Sequence, residues 1–427
     1  MIKQIKACRI CGNSNLISIL HLGEQYLTGV FPKSKSTTLT KGPLQLVKCS
    51  SQNNEAACGL VQLNHSYDLG EMYGDTYGYR SGLNQSMVKH LQGKVAKIIG
   101  IVNLQKGDVV LDIGSNDATL LKAYANKDIE LFGVDPSAEK FRSYYTNNIN
   151  LITEFFPSDS LLKRLGNKKA KIVTSISMFY DLEEPLKFVK AVQDIIDKDG
   201  VWVFEQSYLP NMLKTNSYDT VCHEHLEYYC VKQIKWMMDK IGFNIIDIEL
   251  NNVNGGSFSV MVAKKESTVF KENKTLVDKF LEQEMKEGYN EIKTYERFGS
   301  MVHEHKKELI ELLTKLKSEG KKVYGYGAST KGNVMLQYCN ITTDILPIIA
   351  EVNEDKFGSF TPGTLIPIIS ETEAKAQNPD YYLVMPWHFK ENFLMREKAY
   401  LMQGGKLIFA LPEIEVITKD VYVDPGK

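Results

Sequence analysis

Four cysteines stand in the first 58 residues: Cys8, Cys11, Cys49 and Cys58. Cys8-Arg9-Ile10-Cys11-Gly12 is a knuckle, in which a tight turn aims two thiolates at one ion. Cys49 and Cys58 form a looser pair, and the polar stretch from Ser50 to Ala57 loops out between them. Four thiolates satisfy tetrahedral zinc and leave no position open for water, so such a site is structural. The alternative is four unligated thiols in a small domain. The chain holds 7 cysteines, an odd number. In a reducing compartment such clustering points to metal before disulfides.

A second group of chemically capable residues lies at Val109 to Ala118, Val-Val-Leu-Asp-Ile-Gly-Ser-Asn-Asp-Ala. The run Val109-Val110-Leu111 reads as a buried strand. It ends in Asp112-x-Gly114-x-Asn116-Asp117, after which Thr119 to Ala123 begins a helical pattern. Strand, small-residue turn and helix make the first unit of a doubly wound sheet, whose ligands sit at the carboxyl ends of strands. Gly114 lets the backbone approach a ligand closely. The turn lacks full Gly-x-Gly-x-x-Gly spacing, which disfavours a dinucleotide site. A second strand, Glu130 to Val134, ends in Asp135, where an acid can accept both hydroxyls of a ribose. Asp-x-Gly at one strand end and an acid at the next resemble class I S-adenosylmethionine (SAM)-dependent methyltransferases. Leu151 to Phe156 follows, and its aromatics either lie near an adenine ring or pack in the core.

The third group is Tyr218-Asp219-Thr220-Val221-Cys222-His223-Glu224-His225-Leu226-Glu227. His223 and His225 are two residues apart and share no helical face. A zinc-protease pair needs a spacing of four. Acid–base work fits better, because histidine titrates nearest neutrality. Glu224 then orients or polarises a histidine, or holds a substrate hydroxyl. The other reading is a structural loop with satisfied histidines. A fourth group, Gly325-Tyr326-Gly327-Ala328-Ser329-Thr330-Lys331-Gly332-Asn333, repeats strand, glycine-rich turn and helix. It lacks the Walker spacing. A helix N-terminus with Lys331 can hold a diphosphate or sugar hydroxyls, or the turn is structural.

These groups need a scaffold of several parts. With 427 residues the chain is too long for one ordinary core. Asn64 to Gln85, with Tyr67, Tyr73, Tyr77 and Tyr79, suits a lid over a polar ligand or a hinge packed by tyrosines. Met87 to Val102 has helical periodicity, and strands alternate with helices from there to about residue 265. Ser177 stands at the end of the strand Lys171 to Ser177, and a turn is expected at Lys198-Asp199-Gly200. Residues 266–320 read as a helical connector. Divided this way, the chain has a zinc-binding lobe at 1–65, a tyrosine-rich lid or linker at 66–90, and a SAM-binding domain at 91–265. After the connector, a Rossmann-like domain fills 321–427. The fold class is α/β.

Charge is balanced, with 51 basic and 52 acidic residues, so no basic field argues for nucleic acid. No apolar run approaches the roughly 20 residues of a membrane span. Met-Ile-Lys-Gln-Ile-Lys lacks the apolar core of a secretion signal. The expectation is a cytoplasmic protein, monomeric or weakly homo-oligomeric.

Taken in order, the motifs resemble the nucleotide-deoxysugar C-methyltransferase family over nearly the whole chain. The resemblance implies a zinc lobe and a C-terminal Rossmann-like lobe flanking a SAM domain, with a small-molecule nucleotide-sugar substrate between lobes. It implies SAM as donor, held by Asp112, Gly114, Ser115, Asn116, Asp135, Pro136, Phe155, Phe156 and Ser177. One structural zinc ion is implied on the four cysteines. His225 is the implied general base, supported by Glu224, His223 and a lid tyrosine, Tyr77 or Tyr79. Cys222, Gly325, Gly327, Lys331 and Asn333 are the implied acceptor-binding set. Three departures leave the acceptor open. Cys222 stands where the family commonly has Tyr, and Ser177 to Asp181 replaces an Asn-Val-x-Ala-His run. Phe258-Ser259 follows Gly-Gly-Ser, where an Arg often comes two residues on. Oxygen methylation, or nucleotide-sugar binding without catalysis, stays open on the residues alone.

Overall fold

The computed structural model describes residues 2–52, 54, 56–73, 79–125, 128–423 and 425. Its central sheet has seven strands, in the order Phe243–Asn251, Ser257–Lys264, Ile196–Ser207, Ala170–Ile176, Val109–Ile113, Glu130–Val134, Ile149–Ile152. The last five in this order are parallel, and the first two form an antiparallel hairpin closing one edge. All five residues of Val109–Ile113 are buried, as expected where both faces of a parallel sheet are covered. The chain winds one way from this strand and then returns to its other side at Ala170–Ile176. The crevice between these two carboxyl ends is therefore a topological switch point.

Two local expectations differ from the structure. The helix expected from Thr119 is a single turn, Leu121–Ala123. Asn116 and Ala118 have φ of 49° and 61°, outside the helical region, and Asp117 Oδ1 accepts the Thr119 N–H at 3.2 Å. The turn expected at Lys198 to Gly200 is a shift of pairing register inside the strand Ile196–Ser207.

The N-terminal sheet is antiparallel and contains Leu16–Tyr26, Lys41–Cys49 and Val61–Leu63. Its fourth strand comes from far along the chain: Glu227 pairs with Gln62 and Tyr228 with Val61. The connector is two helices, Lys274–Lys286 and Ile292–Ser318. The longer one buries Tyr295, Phe298, Val302, Leu309, Leu313 and Leu316 at helical spacing. These residues share a core with the N-terminal sheet and the C-terminal domain. The C-terminal sheet runs Ile368–Ser370, Ile349–Glu351, Val323–Tyr326, Tyr381–Val384, Lys406–Phe409, Glu415–Ile417. All its pairs are parallel except the last. Among the described residues no helix is long and apolar enough to cross a membrane.

Gly325 lies within Val323–Tyr326, and a Cβ there would meet Ile349 Cγ1 at 2.7 Å and Leu346 Cδ2 at 3.1 Å. Close packing, not ligand contact, keeps this position small. Gly325→Ala is expected to cost about 1–3 kcal/mol by overpacking, read as a lowered Tm. A Tm unchanged from that of the parent would show that the core gives way freely.

Candidate active site

The four cysteines converge. Their sulfurs all lie within 4.8 Å of one another, with Cys8 Sγ 3.5 Å from Cys58 Sγ and Cys11 Sγ 3.5 Å from Cys49 Sγ. All are free thiols. Tetrahedral zinc with bonds of about 2.3 Å sets sulfurs roughly 3.8 Å apart, so the arrangement fits the ion. Cys8, Cys49 and Cys58 are buried against the central domain, in one core with Phe179, Trp202 and Tyr229.

At the switch point a cavity of about 280 Å³ opens. All nine residues expected to hold the donor line it: Asp112, Gly114, Ser115, Asn116, Asp135, Pro136, Phe155, Phe156 and Ser177. Gly114 has φ of 79°, and a Cβ would stand 3.0 Å from Met178 Cγ. Asp135 Oδ2 accepts the Asn116 N–H at 2.8 Å, and Oδ1 accepts the Ser137 N–H at 2.7 Å. The Ser137 hydroxyl also donates to Oδ1 at 2.6 Å, so of about four lone-pair sites on the carboxylate one remains, on Oδ2. Asp112 accepts the Thr174 hydroxyl at 2.6 Å, and burial pushes its carboxyl up to about 7. Phe156 packs edge-on against Phe188, ring centres 5.1 Å apart, while Phe155 is 50% exposed at the cavity wall. Ser177 has φ of 55°. Such a backbone in a non-glycine residue is a strain found at functional sites.

The tyrosine-rich segment docks here. Asn116 accepts the Ser81 N–H at 2.9 Å and donates to the Tyr79 carbonyl at 3.2 Å. Asp117 accepts the Gly82 N–H at 3.0 Å. Tyr73 donates to Asp181 Oδ2 at 2.8 Å, and both line the switch-point cavity. Tyr79 lines this cavity and the next one. Tyr67 belongs to the N-terminal core instead, donating to the Pro43 carbonyl at 2.6 Å. Tyr77 lies outside the described residues.

His223, Glu224 and His225 occupy three different settings. His223 is fully enclosed, edge-on to Tyr67 at 4.6 Å, and burial pushes its imidazole down to about 4. Glu224 is buried at the seam of three lobes. Thr28 Oγ1 is 3.4 Å from its Oε2, and a Cβ on Gly29 would stand 2.2 Å from its Oε1. Burial raises its pKa. His225 packs edge-on against Tyr180 at 4.4 Å, and its Nδ1 is 2.9 Å from the Thr220 carbonyl. A carbonyl only accepts, so Nδ1 carries the proton and Nε2 of the neutral ring offers a lone pair. Burial, then the Lys331 ammonium, push His225 down to about 3.

A second cavity, about 480 Å³, lies between the N-terminal and C-terminal lobes. Gly29 and Phe31 line it from one side. Gly327, Ser329, Thr330, Lys356, Phe389 and Arg396 line it from the other. Gly327 has φ of 81°, and a Cβ would stand 2.8 Å from Pro386. Ser329 caps the helix Thr330–Tyr338. The acid at the second strand end, Glu351, accepts the backbone N–H groups of Ala328, Val352 and Asn353 at 2.7–2.9 Å. Three of its roughly four lone-pair sites are thus taken by the turn, and the residue also lines the cavity. Of the expected acceptor set, Gly327 alone lines this cavity. Asn333 donates to the Thr28 carbonyl at 2.8 Å, and Lys331 to the Asn254 carbonyl at 2.7 Å. Cys222 is wholly buried.

Sequence reasoning passed over Asp181, Glu183, Thr28 and Gly29. Asp181 and Glu183 lie in the loop after the strand Ala170–Ile176, at the same sheet edge as Gly114, and that position was the available signal. Thr28 and Gly29 carried none.

Protein purified without added zinc is expected to hold about one equivalent by elemental analysis. Cys49→Ser with Cys58→Ser should abolish it; full retention would remove these thiols from the site. Asp135→Ala is expected to weaken S-adenosylhomocysteine binding at least about 10-fold by calorimetry, since a charge-assisted hydrogen bond contributes about 1.5–3 kcal/mol.

Three family models match the chain in succession. They are a "Putative zinc binding domain" at residues 8–73, a methyltransferase domain at 87–248, and a C-methyltransferase C-terminal domain at 252–412. The C-methyltransferase NovU of Streptomyces niveus is 27% identical over 425 residues, covering 98% of this chain and 99% of its own. Among solved structures, a SAM-dependent methyltransferase from Clostridium acetobutylicum is 14% identical, covering 42% of this chain and 92% of its own with a TM-score of 0.33. Magnesium protoporphyrin IX methyltransferase from Synechocystis, bound to S-adenosylhomocysteine, is 16% identical over 46% of this chain and 91% of its own, with a TM-score of 0.32. With its class I sheet, four-cysteine lobe and three domain matches in order, the chain is a SAM-dependent methyltransferase built like the C-methyltransferases it matches.

Proposed function

We propose that the enzyme methylates a carbon next to the ketone of a nucleotide-linked keto-deoxysugar, with His225 as general base. The observation carrying this reading is the Nδ1 contact of His225 with the Thr220 carbonyl at 2.9 Å. It fixes the tautomer in which Nε2 is basic. A carbon beside a ketone becomes nucleophilic only when its α-proton leaves. SAM supplies an electrophilic methyl. Burial and Lys331 hold the imidazole neutral, so the base form persists from neutral pH down to about pH 5.

The second cavity is the proposed acceptor site. Lys356, Arg396 and the N-terminus of the helix Thr330–Tyr338 suit a diphosphate, and Phe31 and Phe389 offer apolar faces to a base or sugar. Tyr79, shared by both cavities, marks the passage between donor and acceptor. On this reading the lobes divide the work: 1–65 holds zinc, 66–90 covers the donor, and 91–265 holds donor and base. Residues 266–320 connect, and 321–427 binds the nucleotide sugar.

The test is incubation of nucleoside-diphosphate keto-deoxyhexoses in heavy water. The α-proton of the accepted sugar is expected to exchange at His225 and the product to carry a C-methyl group. His225→Ala should lower exchange by about 10²–10⁴-fold, and protonation of His225 should not slow the parent between about pH 8 and 5. A product retaining every α-hydrogen, with methyl on oxygen, would overturn the carbon assignment.

A further inference from the structure

Arg9 stands inside the knuckle, between Cys8 and Cys11, yet its side chain is only 3% exposed. Most of its donors are spent on the N-terminal sheet. Nη1 donates to the Leu63 carbonyl at 2.7 Å, and Nη2 to Ser66 Oγ at 2.9 Å. The Arg9 backbone N–H donates to Gln62 Oε1 at 3.1 Å. With the fork held this way, Nε lies 3.7 Å from Glu183 Oε2 and 3.7 Å from Glu227 Oε1. Glu183 lines the donor cavity beside Asp181 and Leu182. Glu227 follows His225 by two residues and its side chain is 0% exposed. Burial pushes the Glu227 carboxyl well above the usual range, and the Arg9 guanidinium is the cation that opposes this, in charge contact and without a hydrogen bond.

We infer that Arg9 is a positioning residue that ties the metal knuckle to the wall of the donor cavity through Glu183, and to the base-bearing segment through Glu227. The physics is that of a planar, rigid, permanently charged fork. Guanidinium cannot lose its proton to relieve strain, and its nitrogens keep fixed relative directions. Two of them are fixed on backbone and hydroxyl of the sheet, so the third is aimed. A shift of the knuckle moves Nε, and the loop Met178–Glu184 follows the charge. Lysine, a single flexible ammonium, cannot reach the sheet carbonyl and both carboxylates together. The inference concerns the donor site and stands whatever the acceptor proves to be.

The test uses the full-length, metal-replete protein with S-adenosylhomocysteine. Arg9→Lys is expected to keep its metal by elemental analysis and to weaken binding by about 5–10-fold in calorimetry, the range of coupling carried by such networks. Glu183→Gln, on the accessible end of the network, is expected to do the same. The double variant should bind no worse than the weaker single one, because both changes cut one linkage. A spectroscopic readout excludes a merely structural role. With cadmium in place of zinc, the ¹¹³Cd resonance of the knuckle should shift when S-adenosylhomocysteine is added to the parent, and not in Glu183→Gln. If Arg9→Lys does not fold, Arg9→Gln with Glu227→Gln removes both charges of the buried pair and takes its place in the series. Affinity within twofold of the parent in a metal-replete Arg9 variant overturns the inference. Effects that multiply in the double variant, or a cadmium resonance indifferent to S-adenosylhomocysteine, also overturn it. Loss of binding in Asp135→Ala separately locates the donor, so failure of the linkage and failure of the donor site are distinguishable.

Discussion

Two backbone hydrogen bonds hold the His223–His225 segment between the N-terminal sheet and the central domain. Leu63 donates to the Leu226 carbonyl at 2.8 Å, and Leu226 donates to the Tyr180 carbonyl at 2.9 Å. The first joins the residue after His225 to the N-terminal sheet, and the second joins it to the loop that walls the switch-point cavity. Neither bond depends on a side chain, so backbone bonds on both sides of Leu226 anchor the end of the turn that carries His223, Glu224 and His225. Within that turn the three neighbours end in distinct places: one in the core, one at the lobe seam, one against Tyr180 with its Nδ1 on the Thr220 carbonyl.

The seam has its own demand. Glu224, Asp181, Cys222 and Glu227 are enclosed near one another, and burial raises the pKa of each. Buried carboxyls persist only when protonated, hydrogen-bonded or paired. Tyr73 serves Asp181, Thr28 serves Glu224 and Arg9 serves Glu227. Two of those partners come from the first 28 residues and the third from the tyrosine segment. The N-terminal lobe thus closes the polar interior of the central domain.

The lining of the switch-point cavity was legible in the sequence because it is local. Asp112, Gly114, Asn116 and Asp135 follow directly from two strand ends, and a class I sheet places strand ends together. The cysteine cluster was legible for the same reason of type and spacing. The lining of the second cavity was less so. Gly325, Lys331 and Asn333 look equivalent to Gly327 in a motif, but side-chain direction differs along a turn. Lys331 reaches back to Asn254, and Asn333 crosses to Thr28. Such choices depend on which surface of another lobe lies opposite, and no spacing encodes that. The helix expected after Ala118 failed because two residues at positive φ stand before it, a conformation that Asn advertises weakly and Ala not at all.

The borrowed strand Glu227–Tyr228 also sets a timetable for synthesis. All four cysteines and the strands Leu16–Tyr26, Lys41–Cys49 and Val61–Leu63 leave the ribosome early, so the knuckle can take its metal at once. The edge of Val61–Leu63 then waits for a partner encoded far downstream. At about 5–20 residues per second the delay is roughly 10–30 s. During that time the nascent chain displays an unpaired strand edge, the kind of surface that recruits neighbouring chains.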